Sequence, residues 1–428
     1  MLDKVLTASN GYRLLFVAVP ALIALAILVP DTTTQPVLRV AFVGNSIVFV
    51  NDLPRFVEAL GENHYIVQDS CLHGSLSLMS LAYRGNGMLN KWKTNAALIQ
   101  GDKKNNRIYD FGACSVPQLL LGHDEEFYSE NSGKFSDGKN PCTVNPNYLQ
   151  FRESLHPDPR EQMHWDFVVL NDQSRYPMTY KRRGKSVMAL QEIYAPLLNM
   201  VQATAVFLVT YGYVAQAAQY VDDDRMGWKN FSPTETEEDM PYMTSLLYYG
   251  YQEYQQALER KGVTGRLAQV GLAFLTVWEE DIELWRRLFF YDGMHPSPLG
   301  TYLQGCVVYT TIRQQLPPMS LRIEQVSRLW QNARRMHQKN RGYISKEDES
   351  TLLPMPLPTR DEARYLSEVC KRVALEDYHP PSLWPYDQLG DGFYSNYADA
   401  DDANFAEYFI EDYYTDDDYY GDDDAAAR

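Results

Sequence analysis

Residues 38–47 read LRVAFVGNSI: a short apolar run halts at Gly44-Asn45 and hands over to Ser46. Residues 40–43 are too few for a helix and β-branched, which predicts a buried parallel strand, and the apolar spacing over 52–60 predicts a helix behind it. A serine at that junction stands at the carboxyl end of a first strand, the edge where open α/β sheets bind their ligands. A serine there also commonly caps the next helix, so its position alone does not separate cap from nucleophile.

A hydroxyl attacks at neutral pH only when a base takes its proton, and that base needs an orienting carboxylate. Residues 291–300, YDGMHPSPLG, place Asp292 and His295 three apart in a Gly/Pro loop that leads into a helix. Ester chemistry further needs donors for the negative oxygen of the tetrahedral intermediate. Gly74 follows a predicted second strand at 65–67, and Asn171 ends a predicted third at 167–170. Strands are also expected at 205–209 and 267–272, alternating with helices at 188–200, 241–261 and 274–288. Such alternation predicts a doubly wound parallel sheet whose right-handed crossovers bring Ser46, Gly74, Asn171 and the 291–300 loop to one rim.

In this order, Gly44-Asn45-Ser46, Gly74, Asn171-Asp172 and Asp292-x-x-His295 resemble the four sequence blocks of the SGNH (GDSL-like) hydrolase superfamily, over roughly residues 38–315. The resemblance implies a three-layer α/β/α flavodoxin-like sandwich with a five-stranded, mostly parallel sheet. It implies Ser46 as nucleophile, His295 as base and Asp292 as its orienter, with no cofactor and no metal. The oxyanion hole it implies is built from the N–H groups of Ser46 and Gly74 and the Asn171 amide. Asn45 replaces the usual aspartate of the first block, and Val169 stands where the third usually has glycine; neither change removes a catalytic atom. Members with a GNS block and a D-G-x-H-P-S ending point to glycans, so the expected activity is a serine esterase removing O-acetyl groups from an acylated glycan. A glycan O-acyltransferase using the same triad and a non-catalytic secreted binding protein are the alternatives that the residues leave open.

The 428 residues, 45% of them hydrophobic, suffice for one large or two ordinary domains. Of the net charge of −17, residues 391–428 carry −12, so the remainder is only mildly acidic. A chain without a basic stripe is poorly matched to nucleic acid, and Lys181-Arg182-Arg183 and Arg334-Arg335 read as solvated surface. The expected organisation is a signal peptide or signal anchor at 1–36, a catalytic domain at 37–318, a helical extension at 319–390 and an acidic, Tyr-rich tail at 391–428 that cannot bury enough surface to fold.

The apolar run from Leu14 to Val29 follows Lys4 and Arg13 and is expected to send the chain into the secretory pathway, either cleaved or retained as a membrane anchor. In that oxidising setting Cys114 and Cys142, which bracket a polar loop, are expected to pair, and Cys71, Cys306 and Cys370 to be buried thiols. No C-x-x-C or histidine cluster suggests a metal. Residues 84–165 read as a loop-rich insertion shaping the cleft, with Tyr83, Trp92, Tyr109 and Phe111 as candidate sugar-stacking aromatics. An acidic loop over 222–240 carries the Asn230 sequon, and helices are expected at 320–339 and 359–375. Nothing in the sequence specifies an oligomeric state.

Overall fold

The run that opens at Leu38 forms β1 (Leu38–Gly44), flanked by β2 (Ile66–Leu72) on one side and β3 (Phe167–Leu170) on the other. The sheet continues through β4 (Thr204–Leu208) and β5 (Gly265–Ala268) in the order β2-β1-β3-β4-β5, and every pairing is parallel. In this computed structural model the described residues are 37–51, 53–61, 66–72, 76–84, 116–121, 165–213, 237–290, 293–318 and 358–389. All but Val37 belong to one compact unit beginning at Leu38.

Between the strands run α1 (Ser46–Phe49), α2 (Leu53–Leu60), α3 (Leu78–Arg84), α4 (Val116–Leu121), α5 (Arg175–Met178), α6 (Tyr180–Ala189) and α7 (Ala195–Val201). They are followed by α8 (Met240–Glu259), α9 (Val270–Glu280), α10 (Ile282–Arg287), α11 (Pro298–Arg313) and α12 (Arg360–Leu375). Contacts divide them into two layers. Helices α2, α9, α11 and α12 cover one face of the sheet, and α3, α4, α6, α7 and α8 cover the other, which completes a three-layer α/β/α sandwich. With both faces covered, the central strands can be apolar throughout, and Val40 to Val43 are wholly buried.

Several boundaries differ from their sequence expectation. β2 runs on through Gln68-Asp69-Ser70 to Leu72, because pairing with the whole of β1 outweighs the low strand propensity of buried polar residues. β5 stops at Ala268 and α9 begins at Val270, inside the expected strand. The expected helix over 274–288 is broken at Asp281, whose carboxylate accepts from Leu284 N (2.9 Å) and starts α10 afresh. The helix expected at 188–200 begins earlier, at Tyr180, and carries a π-helical segment, Leu190–Tyr194. Within the expected insertion, α4 is ordered secondary structure, and Trp165 Nε1 donates to Leu120 O (3.1 Å).

Arg183 corrects the reading of its basic cluster as solvated surface. It is 1% exposed, its Nε donating to Glu253 (2.8 Å) and its Nη1 to Pro177 O (3.0 Å), so α6 and α8 share an ion pair whose arginine is buried and whose glutamate is half-buried. Cys71, Cys306 and Cys370 are buried thiols. Thr359 and Glu362 form a capping box at the start of α12. Among the described residues no helix is long and apolar enough to cross a membrane, and no group of acidic, Cys and His residues is placed to hold a metal. Residues 1–36, Trp92, Tyr109, Phe111, Cys114, Cys142, Asn230, the helix expected at 320–339 and the tail lie outside the described residues.

Two glycines give opposite expectations. A Cβ on Gly300, in the first turn of α11, would sit 2.1 Å from Leu288 O, whereas one on Gly184, in α6, would meet nothing within 4 Å. Gly300→Ala is expected to destabilise by about 2–3 kcal/mol through forced backbone displacement. Gly184→Ala is expected to stabilise by about 0.5–1 kcal/mol through helix propensity. Urea unfolding of the two variants checks both signs.

Candidate active site

From β1 the chain adds β2 on one side and then β3, β4 and β5 on the other, so the strand order switches direction between the parallel neighbours β1 and β3 and opens a crevice at their carboxyl ends. Ser46 lies on this rim as the first residue of α1. The buried Asn45 caps that helix, its Oδ1 accepting from Ile47 N (3.1 Å), so the expected capping role belongs to Asn45 and not to Ser46. Ser46 is half-buried, and its hydroxyl has no hydrogen-bond partner among the described residues. Gly44 is required by close packing: a Cβ there would meet Val48 Cγ2 at 2.9 Å and Asn171 Cβ at 3.1 Å.

Asn171 N donates to Val43 O (2.9 Å), so the third block is clamped to the first. Its side chain, expected to face the oxyanion, is wholly buried and turned into the sheet. Nδ2 reaches Thr210 Oγ1 at 2.9 Å and Leu208 O and Tyr251 OH at 3.3 Å, while Oδ1 is buried without a partner. The inward amide follows from burial, since the end of β4 and α8 supply hydrogen-bonding groups that the sequence blocks do not include. Gly74, the other expected donor, lies outside the described residues.

Next to it, Asp172 is a wholly buried carboxylate with four donors. Oδ1 accepts from Leu78 N (2.9 Å) and Gln173 N (2.8 Å), and Oδ2 from Ser186 Oγ (2.6 Å) and Tyr254 OH (2.8 Å). Burial pushes its pKa up to about 6, against the pull of these hydrogen bonds. Tyr251 OH receives Asp172 N (3.0 Å), and burial lifts the phenols of Tyr251 and Tyr254 far above their usual range. One side chain thereby ties the end of β3 to the start of α3, to the last turn of α6 and to the second half of α8.

His295, half-buried, sits in the loop from Phe289 to Ser297, which closes like a short hairpin. Phe289 bridges Pro296, Phe290 N donates to His295 O (2.7 Å), Ser297 N to Leu288 O (2.8 Å), and Gly293 N to Phe290 O (2.9 Å). Gly293 has φ +69°, a conformation that favours glycine. Asp292 lies outside the described residues. Beneath the loop, Tyr211 stacks on Phe274 (4.0 Å between ring centres) and donates from its hydroxyl to Met294 O (3.1 Å).

The serine and histidine segments meet through Asn51, a residue that sequence reasoning missed. It follows α1 and is buried; its Nδ2 donates to Pro296 O (2.7 Å) and Thr301 Oγ1 (2.8 Å). This amide pins the residue after His295, and the first turn of α11, to the far end of the four-residue helix that Ser46 begins. The signal available in the sequence was Asn51 directly after the apolar run Ile47 to Val50, five positions after the candidate nucleophile.

No protein-family model matches this chain, and no curated protein does. Among solved structures it is similar to a DUF4886 family protein from Bacteroides uniformis, with 13% sequence identity and a TM-score of 0.38, over 69% of this chain and 93% of that one.

Asp172 generates a pH prediction. Its folded pKa of about 6 lies above the ordinary 3.8, so between those values the folded state holds more proton than the unfolded, and stability falls as pH rises through the window. The full difference corresponds to about 3 kcal/mol. Asp172→Asn removes the titrating group, its Oδ1 still able to accept from the two backbone N–H groups while the Ser186 and Tyr254 hydroxyls turn to accept from Nδ2, and should flatten this slope, whereas Asp172→Ala strands four buried donors and should cost about 3 kcal/mol or more at pH 7. Urea midpoints from pH 4 to 7.5 for the three proteins provide the check.

Proposed function

We propose that this chain is a serine ester hydrolase of the SGNH type that removes acyl groups, O-acetyl foremost, from a glycan. The observation that carries the reading is the Asn51 amide bound to Pro296 O and Thr301 Oγ1, which joins the segments of Ser46 and His295, about 250 residues apart in sequence, at the carboxyl rim of one parallel sheet. In this reading His295 takes the proton of Ser46 as the hydroxyl attacks the ester carbonyl. The acyl-enzyme is then hydrolysed by a water that the same imidazole deprotonates. Asp292 holds the imidazole tautomer and stabilises its charged form.

The oxyanion receives the N–H groups of Ser46 and Gly74, and the Asn171 amide after a half-turn about its last torsion. Thr210 Oγ1 and Tyr251 OH can donate as readily as accept. A rotated Asn171 therefore keeps both as partners of Oδ1, gives up its 3.3 Å bond to Leu208 O, and moves Nδ2 to the place where Oδ1 now has no partner. The N-terminal apolar run supports routing to the secretory pathway, where acylated extracellular glycans would be met.

Ser46→Ala is expected to lower kcat for p-nitrophenyl acetate by about a thousandfold or more, with the thermal melt unchanged. His295→Ala should lose a similar factor. Undiminished hydrolysis by Ser46→Ala overturns the assignment of the nucleophile, and an assay across acyl chain lengths from acetate upward reads the preferred ester.

A further inference from the structure

After α12 the chain turns at Asp377 (φ +53°) and returns across α8 as a strap, residues 378–389. Its backbone is anchored at several points: Ser382 N donates to Glu279 Oε1 (2.6 Å), Trp384 N to Ser245 Oγ (2.8 Å), and Tyr242 OH to Leu389 O (2.9 Å). Pro380, Pro381 and Pro385 restrict the segment further. Held this way, the strap presents two large aromatic side chains to solvent, Trp384 at 42% and Tyr386 at 46% exposure. Trp384 makes an edge contact with Tyr242 (5.0 Å, 63°), and Tyr386 with Tyr249 (5.1 Å, 70°).

We propose that this surface is a binding platform for a neutral oligosaccharide chain, with Trp384 and Tyr386 as its stacking rings. Exposed aromatic rings fixed in orientation offer their electron-rich faces at little entropic cost, which suits the C–H faces of pyranose rings. The two exposed rings brace on tyrosines seven residues apart along α8, about 10 Å. They form a row that a chain of linked sugars can follow, and not a cage closing round one cation. Exposed Asp387 and Gln388 beside them supply planar acceptors and donors for hydroxyl groups. Neither α8 nor residues 376–389 contain a lysine or arginine, and the residues flanking the two rings add Asp387 but no cation, which disfavours phosphate-bearing and other anionic ligands.

The platform contributes no reacting group, so its test is separate from that of the esterase reading. The full chain carrying Ser46→Ala, titrated calorimetrically with xylohexaose, cellohexaose and chitohexaose, is expected to bind at least one of them saturably. Adding Trp384→Ala or Tyr386→Ala should weaken that binding by about tenfold or more, while Trp384→Phe retains most of it. Each platform substitution made alone in the active chain should leave p-nitrophenyl acetate hydrolysis unchanged. The inference is overturned if none of the three oligosaccharides binds, or if binding survives both alanine substitutions. It is equally overturned if an arginine-rich peptide is bound through these rings in place of a sugar, or if their loss instead abolishes self-association in sedimentation. Melting curves matched to the parent establish that each variant is folded, and Tyr386→Ala decides the matter should Trp384→Ala fail to fold.

Discussion

The carboxylate of Asp172 is wholly buried and among the described residues no cationic side chain touches it directly, so its charge at neutral pH rests on four hydrogen bonds. Two of the donors are backbone N–H groups, that of Leu78 lying at the start of α3, and two are hydroxyls from α6 and α8. No one of those elements can shift without withdrawing a bond from a buried charge. Asn171 directly precedes the carboxylate, so one of the proposed oxyanion groups is attached to the same constraint. Asp172 therefore acts on the rim by fixing the positions of its neighbours.

The histidine segment is held by other means. Its loop rests on the rings of Tyr211, Phe274 and Phe289, and Ser297 both caps α11 and binds Arg287 O. Packing of α11 on α2 then sets the loop beside α1, with Gly305 lying so close to Phe56 that a Cβ would approach its ring within 2.5 Å. Asn51 adds the polar link. Joining positions so distant in sequence carries a large loop-closure entropy, and the apolar layer of helices, not the single amide, offsets it. The amide sets register once the layers have met.

Much of this was legible beforehand. The apolar β-branched run before Ser46 and the exact span of β3 followed from period and composition, and the alternation of strands with helices led to the parallel sheet and to a shared rim. Less legible were features in which a partner from elsewhere reverses a local preference. Gln68 to Ser70 look like loop and become strand because β1 is beside them. Arg183 looks like surface and is buried because Glu253 and Pro177 O await it. The break at Asp281 was written locally as a capping residue, but within an apolar helical pattern it did not stand out.

The sequence by itself determined the class of fold and the strand ends at which Ser46 and Asn171 stand, because strand period, turn residues and chain order are local or one-dimensional properties. Tertiary structure decided which way those groups point. The Asn171 amide faces Thr210 and Tyr251, the Asp172 carboxylate is satisfied by three different helices and its own neighbour, and Asn51 links two segments that share no sequence signal. Orientation of a buried polar side chain is set by whichever distant donors and acceptors surround it, and these exist only after the layers have packed.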